Sequence, residues 1–477
     1  MISFFRNMTK TNLSTIPSRH EGKMPDGGGC SPRMEWARLI CDKRFGMEDY
    51  HDKRGGSRSD FQRDFDRLVF SSPFRRLQNK TQVFPLPGSV FVHNRLTHSM
   101  EVASVGRSMA NEIASALRGK YAGTPAGVAM ESIGEIVAAA CLAHDLGNPP
   151  FGHSGETAIA TFFSEGDGAA LENELTPHQW ADLVHFEGNA NAFRLLTHQF
   201  NGRRQGGFAM TYSMLASIVK YPFTSTLAGG RNKFGFFESE CEAFGRIASE
   251  LGLICRRSDD GGVSYARHPL VYIVEAADDI CYEVMDIEDA HKLKILSTEE
   301  VKSLMLGFFD DARRRRCEEI MGRITDTNEQ VAYLRSGVIG VLVNACARVF
   351  VEHEDEIMRG EFCGQLLSKV PQRERDAYGR CNAVSWDKIY QASDVVNIEL
   401  AGNRIITFLL EKLIHAVRNP GLNYSRLLLS QVPEQYDVHA PGLYGKVQAV
   451  LDHVSAMTDV YALDLYRRLN GHSLPAV

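Results

Sequence analysis

Two adjacent residues able to bind a metal, His144 and Asp145, end an apolar run that starts at Ile133 and continues Gly-Glu-Ile-Val-Ala-Ala-Ala-Cys-Leu-Ala. Ile133, Ile136, Val137, Ala140 and Cys141 make one helical stripe, and His144 continues it. A carboxylate beside a core costs several kcal/mol of desolvation unless a cation or hydrogen bonds compensate, so Asp145 calls for partners elsewhere. Taken alone, the pair reads more readily as a helix-ending His with a solvated Asp, and the helix breaks just beyond it at Gly147-Asn148-Pro149-Pro150.

Two other segments supply the partners. His98 precedes Val102, Val105 and Met109 at helical spacing and so faces the core, with Arg95 on the same face. Asp278, Tyr282 and Asp286 recur every four residues, on a face that begins with Val271 and Val274. His98, His144, Asp145 and Asp278 together form a mixed nitrogen and oxygen set that suits a divalent first-row ion with positions open to water. No thiolate belongs to the set, which argues against a closed structural zinc site. Such an ion lowers the pKa of bound water and clamps a phosphate oxygen.

The elements that must position these residues are helical. At 477 residues, 44% hydrophobic and 23% charged, the chain can bury a large core, and its net charge of -6 gives no global pull on polyanions. The ten cysteines contain no CxxC pair and read as reduced core residues of a soluble, cytoplasmic protein. No signal peptide is evident, and no segment is expected to approach the length of a membrane span. Residues 1–33 read as a flexible arm, 34–300 as the catalytic core and 301–477 as a helical C-terminal region packed on that core and at subunit contacts. Helices are expected over Gln330 to Phe350, Ile398 to Val417 and Gly445 to Leu469, with an interruption at Pro371 to Arg380. Thr81 to Leu86 and Ser89 to His93 are expected to pair as a short hairpin. Asn201 to Gly207 and Arg256 to Gly262 read as exposed loops, the second as a hairpin tip.

The order His98, His144-Asp145, Asp278 resembles the H...HD...D signature of the HD-domain phosphohydrolases. The flanks are similar to those of the deoxyguanosine triphosphate triphosphohydrolases: Phe74-Arg-Arg-Leu-Gln-Asn-Lys-Thr-Gln-Val-Phe-Pro-Leu, His93-Asn-Arg-Leu-Thr-His98-Ser, Ala143-His-Asp-Leu-Gly-Asn-Pro-Pro-Phe-Gly-His153 and Glu275-Ala-Ala-Asp-Asp-Ile. The likeness runs from about Met34 to Leu469 and includes Ile398-Glu-Leu-Ala-Gly and Met457-Thr-Asp-Val-Tyr-Ala. It implies a mainly α, HD-domain helical fold with small β-hairpins and a helical C-terminal region.

The resemblance also implies a reaction. Members cleave a deoxynucleoside triphosphate at the α-phosphorus, releasing deoxynucleoside and tripolyphosphate, with metal-activated water attacking and a nearby acid protonating the leaving 5'-oxygen. The metal is expected to be Mg2+ or Mn2+, with Fe2+, Co2+ or Ni2+ as alternatives. His153 is the candidate acid, Glu156 its orienting carboxylate, and His185 a third histidine near the phosphates or the attacking water. Arg95, Lys220 and Lys233 match positions that meet the phosphate charge. Gln82 and Asp286 match positions at the 3'-hydroxyl, and Tyr282 packs at C2', which favours dNTP over NTP. Homo-oligomers, hexamers foremost, and a nucleotide or single-stranded DNA effector belong to the same expectation; a membrane does not. An HD-type 5'-nucleotidase or phosphodiesterase, and a non-catalytic nucleotide sensor, are the competing readings.

Overall fold

The computed structural model describes residues 33–50, 58–84, 92–229, 233–257 and 262–472. Its principal helices are α1 (Arg95–Leu117), α2 (Ile133–Ala143), α3 (His153–Ser164), α4 (Gly188–Thr197), α5 (Pro269–Lys292), α6 (Thr327–Glu352), α7 (Gln372–Val384), α8 (Ser393–Arg418), α9 (Gly442–Ser455) and α10 (Asp459–Leu469). Among the described residues the one sheet is a hairpin of β1 (Cys255–Arg257) and β2 (Val263–Tyr265), pairing Cys255 with Tyr265 and Arg257 with Val263. The fold is mainly α, as expected; Arg256 and Arg257 of the second expected loop lie in β1, and 258–261 lie outside the described residues.

Local chemistry sets where the helices begin. Asn94 caps α1 through a reciprocal pair with Thr97. Proline at the first position opens α5, where its missing N–H costs nothing. The face of α1 that holds Arg95, His98, Val102, Val105, Met109 and Ile113 is buried, so each large apolar side chain on it contributes about 1.5–3 kcal/mol. α1 packs on α2, α5 and α6, and α5 also packs on α2 and α6.

The buried apolar residues form two clusters. α1, α2, α5 and α6 share the first, which includes Met109, Ile136, Ile273 and Leu342. Ile159, Phe162 and Phe163 of α3 join Leu409 and Leu413 of α8 and Val450 and Leu451 of α9 in the second. The turn that carries His144 to Gly152 leaves α2 in one cluster and enters α3 in the other. The site therefore lies on a seam.

Three expectations change, and a fourth, the first hairpin, falls mostly outside the described residues. Pro371 to Arg380 does not interrupt the helices, because α7 runs through it; only Ala377 and Cys381 are buried there, too narrow a stripe to be seen as periodicity. Gly445 to Leu469 is two helices, α9 and α10, split where Thr458 caps the second. Of the first expected hairpin, only a bridge between Thr81 and Asn94 falls within the described residues, and 85–91 lie outside them. The 26-residue α6 is long and apolar enough to cross a bilayer, contrary to the sequence reading, but it packs as a core helix with Val331, Leu334, Val338 and Phe350 buried. The N-terminal arm lies outside the described residues up to 32.

Candidate metal centre and active site

α1, the C-terminal end of α2 and the middle of α5 bring three side chains to one point. His98 Nε2 lies 3.1 Å from Asp278 Oδ1, and His144 Nε2 lies 3.4 Å from the same oxygen. One ligand atom from each of His98, His144 and Asp278 falls within 4.8 Å of the others, a group able to hold a metal ion. His144 Nδ1 donates to the Cys141 carbonyl at 2.6 Å, which turns Nε2 toward the carboxylates. That Nε2 is buried and has no hydrogen bond. Burial works against charging the ring, but Asp145 and Asp278 outweigh it and lift the His144 pKa to about 9. The same negative surroundings suit a cation, so the residues fit a divalent ion.

Asp278 is the mirror of this. Burial opposes its ionisation, yet His144 and His98 hold the carboxyl well below its usual range. Asp145 stands beside the group, with Oδ1 3.6 Å from His144 Nε2. Its carboxylate is already engaged: Arg95 Nη1 donates to Oδ2 at 2.6 Å and Asn148 Nδ2 donates to Oδ1 at 2.6 Å. Burial raises the Asp145 pKa, and the Arg95 guanidinium together with the His144 and His98 imidazoles more than reverses that.

Arg95 also shapes the loop that follows. Gly152 has φ +59° and ψ −127°, and a Cβ there would collide with the Arg95 guanidinium, so only glycine fits. α3 starts at the next residue, His153, whose Nδ1 lies 2.7 Å from Glu156 Oε2. Glu156 Oε1 accepts from the Gly188 amide at 2.9 Å. Burial opposes its charge, but Lys233, His153 and that amide bring its pKa down to about 2. Glu156 is therefore an ionised anchor for the His153 ring.

The remaining expected residues surround this core. Lys233 Nζ pairs with Glu187 Oε1 at 2.7 Å, and His185 ends the short helix Pro177–Val184 just before Glu187. Lys220 Nζ pairs with Glu275 Oε1 at 3.2 Å, one turn before Asp278 on α5. Tyr282 meets the His98 ring edge-on at 6.5 Å between centroids, and Asp286 follows one turn later. Gln82 follows Thr81, which bridges the α1 cap, and its Oε1 is buried without a hydrogen bond.

Two contributors escaped the sequence reading. Tyr390 donates to Asp286 Oδ2 at 2.7 Å and lies nearly parallel to Tyr282 at 6.1 Å. Asn148 holds Asp145, although sequence showed it only as part of a helix break. Tyr390 comes from far along the chain, and no local pattern could have paired it with α5.

Two family models match the chain. The HD domain family matches residues 95–202, and the phosphohydrolase-associated domain matches 369–468. A deoxyguanosinetriphosphate triphosphohydrolase-like protein of Pseudomonas aeruginosa PAO1 is 36% identical over 457 residues, covering 93% of this chain and 100% of its own. One of the same name from Synechocystis is 34% identical over 92% of this chain and all of its own. The chain belongs to the deoxyguanosinetriphosphate triphosphohydrolase family. A Yersinia enterocolitica protein named deoxyguanosinetriphosphate triphosphohydrolase is 29% identical over 86% of this chain and 93% of its own. The fold is that of an HD-domain phosphohydrolase; His98, His144 and Asp145 lie within the matched HD segment, and Asp278 lies outside it.

Proposed function

We propose that this protein hydrolyses dGTP, and other dNTPs to a lesser degree, to the deoxynucleoside and tripolyphosphate. The observation that carries the reading is the joining of two features by one turn: a His98, His144 and Asp278 group able to hold one metal ion, whose His144 begins the turn, and the anchored His153 and Glu156 pair in the first turn of α3, where it ends. His98, His144 and Asp278, with Asp145 as the fourth, would hold a divalent ion, Mg2+ or Mn2+ foremost. Bound there, such an ion supplies Lewis acidity, acidifying water and offsetting phosphate charge.

The chain's own residues do the rest. His153, oriented through Nδ1 by the ionised Glu156, gives its proton to the leaving 5'-oxygen. Lys220 and Lys233, each now beside a buried carboxylate, meet the triphosphate oxygens, and His185 assists at the phosphates or the attacking water. Arg95 keeps Asp145 ionised and in place. Asp286 and Gln82 bind the 3'-hydroxyl, and the face of Tyr282 packs at C2'. A ribose 2'-hydroxyl there would be buried unpaired, so dNTPs are preferred. Guanine preference follows the names of the relatives. A cytoplasmic homo-oligomer, hexameric in the first instance, with a nucleotide or single-stranded DNA effector, completes the reading.

A panel of the four dNTPs and GTP, incubated with Mg2+ or Mn2+ and separated by chromatography, tests reaction, sugar and base together. Tripolyphosphate from dGTP ahead of the other dNTPs, and none from GTP, is expected. Orthophosphate or pyrophosphate as the first product would refute the reaction.

A further inference from the structure

Two motifs near the C-terminus, Ile398-Glu-Leu-Ala-Gly402 and Met457-Thr-Asp459-Val-Tyr-Ala, lie far in sequence from every residue given a chemical role above, within the segment matched by the phosphohydrolase-associated domain. Both touch the loop that leads to His153.

Asp459, the first residue of α10, is buried, and its two oxygens accept from two backbone amides on separate segments. Oδ1 accepts from Phe151 N at 2.9 Å, and Oδ2 accepts from Thr81 N at 2.8 Å. Phe151 is two residues before His153 and has φ +63°, a left-handed conformation that a bulky side chain rarely adopts without help. Thr81 is the residue before Gln82. One carboxylate thus ties the approach to the proposed acid to the approach to the proposed sugar contact.

α8 closes the loop from the other side. Gly402 packs on Phe151 so closely that a Cβ at 402 would stand 2.8 Å from the Phe151 side chain. Ser154 Oγ donates to the Glu399 carbonyl at 3.0 Å, fixing the first turn of α3. Beside Asp459, Lys80 Nζ donates to the carbonyls of Asn148 at 2.5 Å and Ser455 at 2.8 Å, joining the end of α9 to the residue that holds Asp145. Burial pulls the Lys80 pKa down to about 7, so both carbonyl bonds are made by a group kept from water.

We propose that Asp459 is a positioning residue for the reaction. It holds Phe151 in its left-handed conformation and Thr81 in register, and so sets His153 and Gln82 against the metal group across the seam between the two cores. Gly402 is its counterpart on α8, leaving room for the Phe151 side chain. The assignment rests on the dNTP triphosphohydrolase reading for what the loop does, but the clamp itself is visible without substrate.

The test therefore has two readouts in the full-length protein: hydrogen exchange of the peptides over Lys80–Val83 and Pro149–Ser154, and turnover of dGTP with Mn2+ beside the Mn2+ affinity. Asp459→Ala removes both acceptors. It should speed exchange in both peptides by about tenfold or more and lower kcat about 100-fold, the scale of misplacing a reacting group, with Mn2+ affinity within about threefold of wild type. Asp459→Asn keeps one acceptor and should give a smaller change of the same kind. Gly402→Ala, which crowds Phe151 without touching Thr81, should loosen only the second peptide. If Asp459→Ala does not fold, the Asn and Gly402 variants carry the comparison. The exposed neighbour change Val460→Ser should leave both readouts at wild-type level. Unaltered exchange in the Asp459 variants overturns the proposal, as does faster exchange with unchanged kcat. Should the wild-type protein leave dGTP intact, the dGTP reading fails by itself, and loosening of both peptides still supports the clamp.

Discussion

Two aspartates on the buried strip of α5 are held in opposite states. Asp278 faces two imidazoles that hold its pKa well below the usual range, whereas burial of Asp286, opposed by the Tyr390 hydroxyl and more weakly by His93, raises its pKa well above it. Glu283, between them, follows Asp286: burial lifts it to about 8, with Ser385 Oγ donating to it at 2.8 Å. The helix is one and the residue type is one, so what differs is what covers each carboxylate. Imidazoles meet the carboxylate at the metal end, and the Tyr390 and Ser385 hydroxyls donate to the carboxyls at the other. A strip divided in this way can offer charge to a metal ion at one end and an uncharged hydrogen-bonding surface to a sugar at the other.

Replacing each aspartate in turn by asparagine should have the largest effect. Asp278→Asn should weaken Mn2+ binding by about 100-fold or more in calorimetry and abolish turnover, while Asp286→Asn should leave Mn2+ affinity within about threefold. Equal loss of metal in both variants would mean the strip is not divided.

A smaller effect should come from the cover. Tyr390→Phe removes the hydroxyl that Asp286 accepts and should cost about 1–3 kcal/mol in urea unfolding, with metal binding intact. An unchanged midpoint would show that Asp286 finds another donor.

A buried carboxylate away from α5, Asp182 of the helix Pro177–Val184, extends the contrast to pH. Burial raises the Asp182 pKa to about 7, although the Tyr444 hydroxyl at 2.5 Å and the Glu238 amide at 2.8 Å both donate to it. Between about pH 4 and pH 7 the folded protein keeps a proton that the unfolded chain releases. Its contribution to stability is thus present at the acid end and lost as pH rises through 7. Asp182→Asn should gain on the wild type by roughly 1–3 kcal/mol between pH 5 and pH 8, in unfolding measured at both. A constant difference across that range would place the Asp182 pKa near the ordinary carboxylate value.

The contributors to the metal group were legible in sequence because each stands on a helix whose apolar period fixes its direction. His98, His144 and Asp278 interrupt stripes that continue on either side, and a polar residue on a buried face is visible without any structure. The covers were not legible. Tyr390 and Asp459 act across more than a hundred residues, and nothing in their own neighbourhoods marks the carboxylate or amide they meet. α7 was read as a break because a helix that buries two side chains carries almost no periodic signal, and the division of α9 from α10 depended on a single capping threonine. Helix faces are local properties, whereas the seam between the two cores is a property of the folded chain.

The central claim is that water enters at the α-phosphorus of dGTP and the intact triphosphate leaves. Hydrolysis of dGTP in oxygen-18-labelled water with Mn2+, followed by mass spectrometry of both products, tests it most directly. The account predicts label in tripolyphosphate and none in deoxyguanosine. Label in deoxyguanosine, or recovery of dGMP with pyrophosphate, would contradict it.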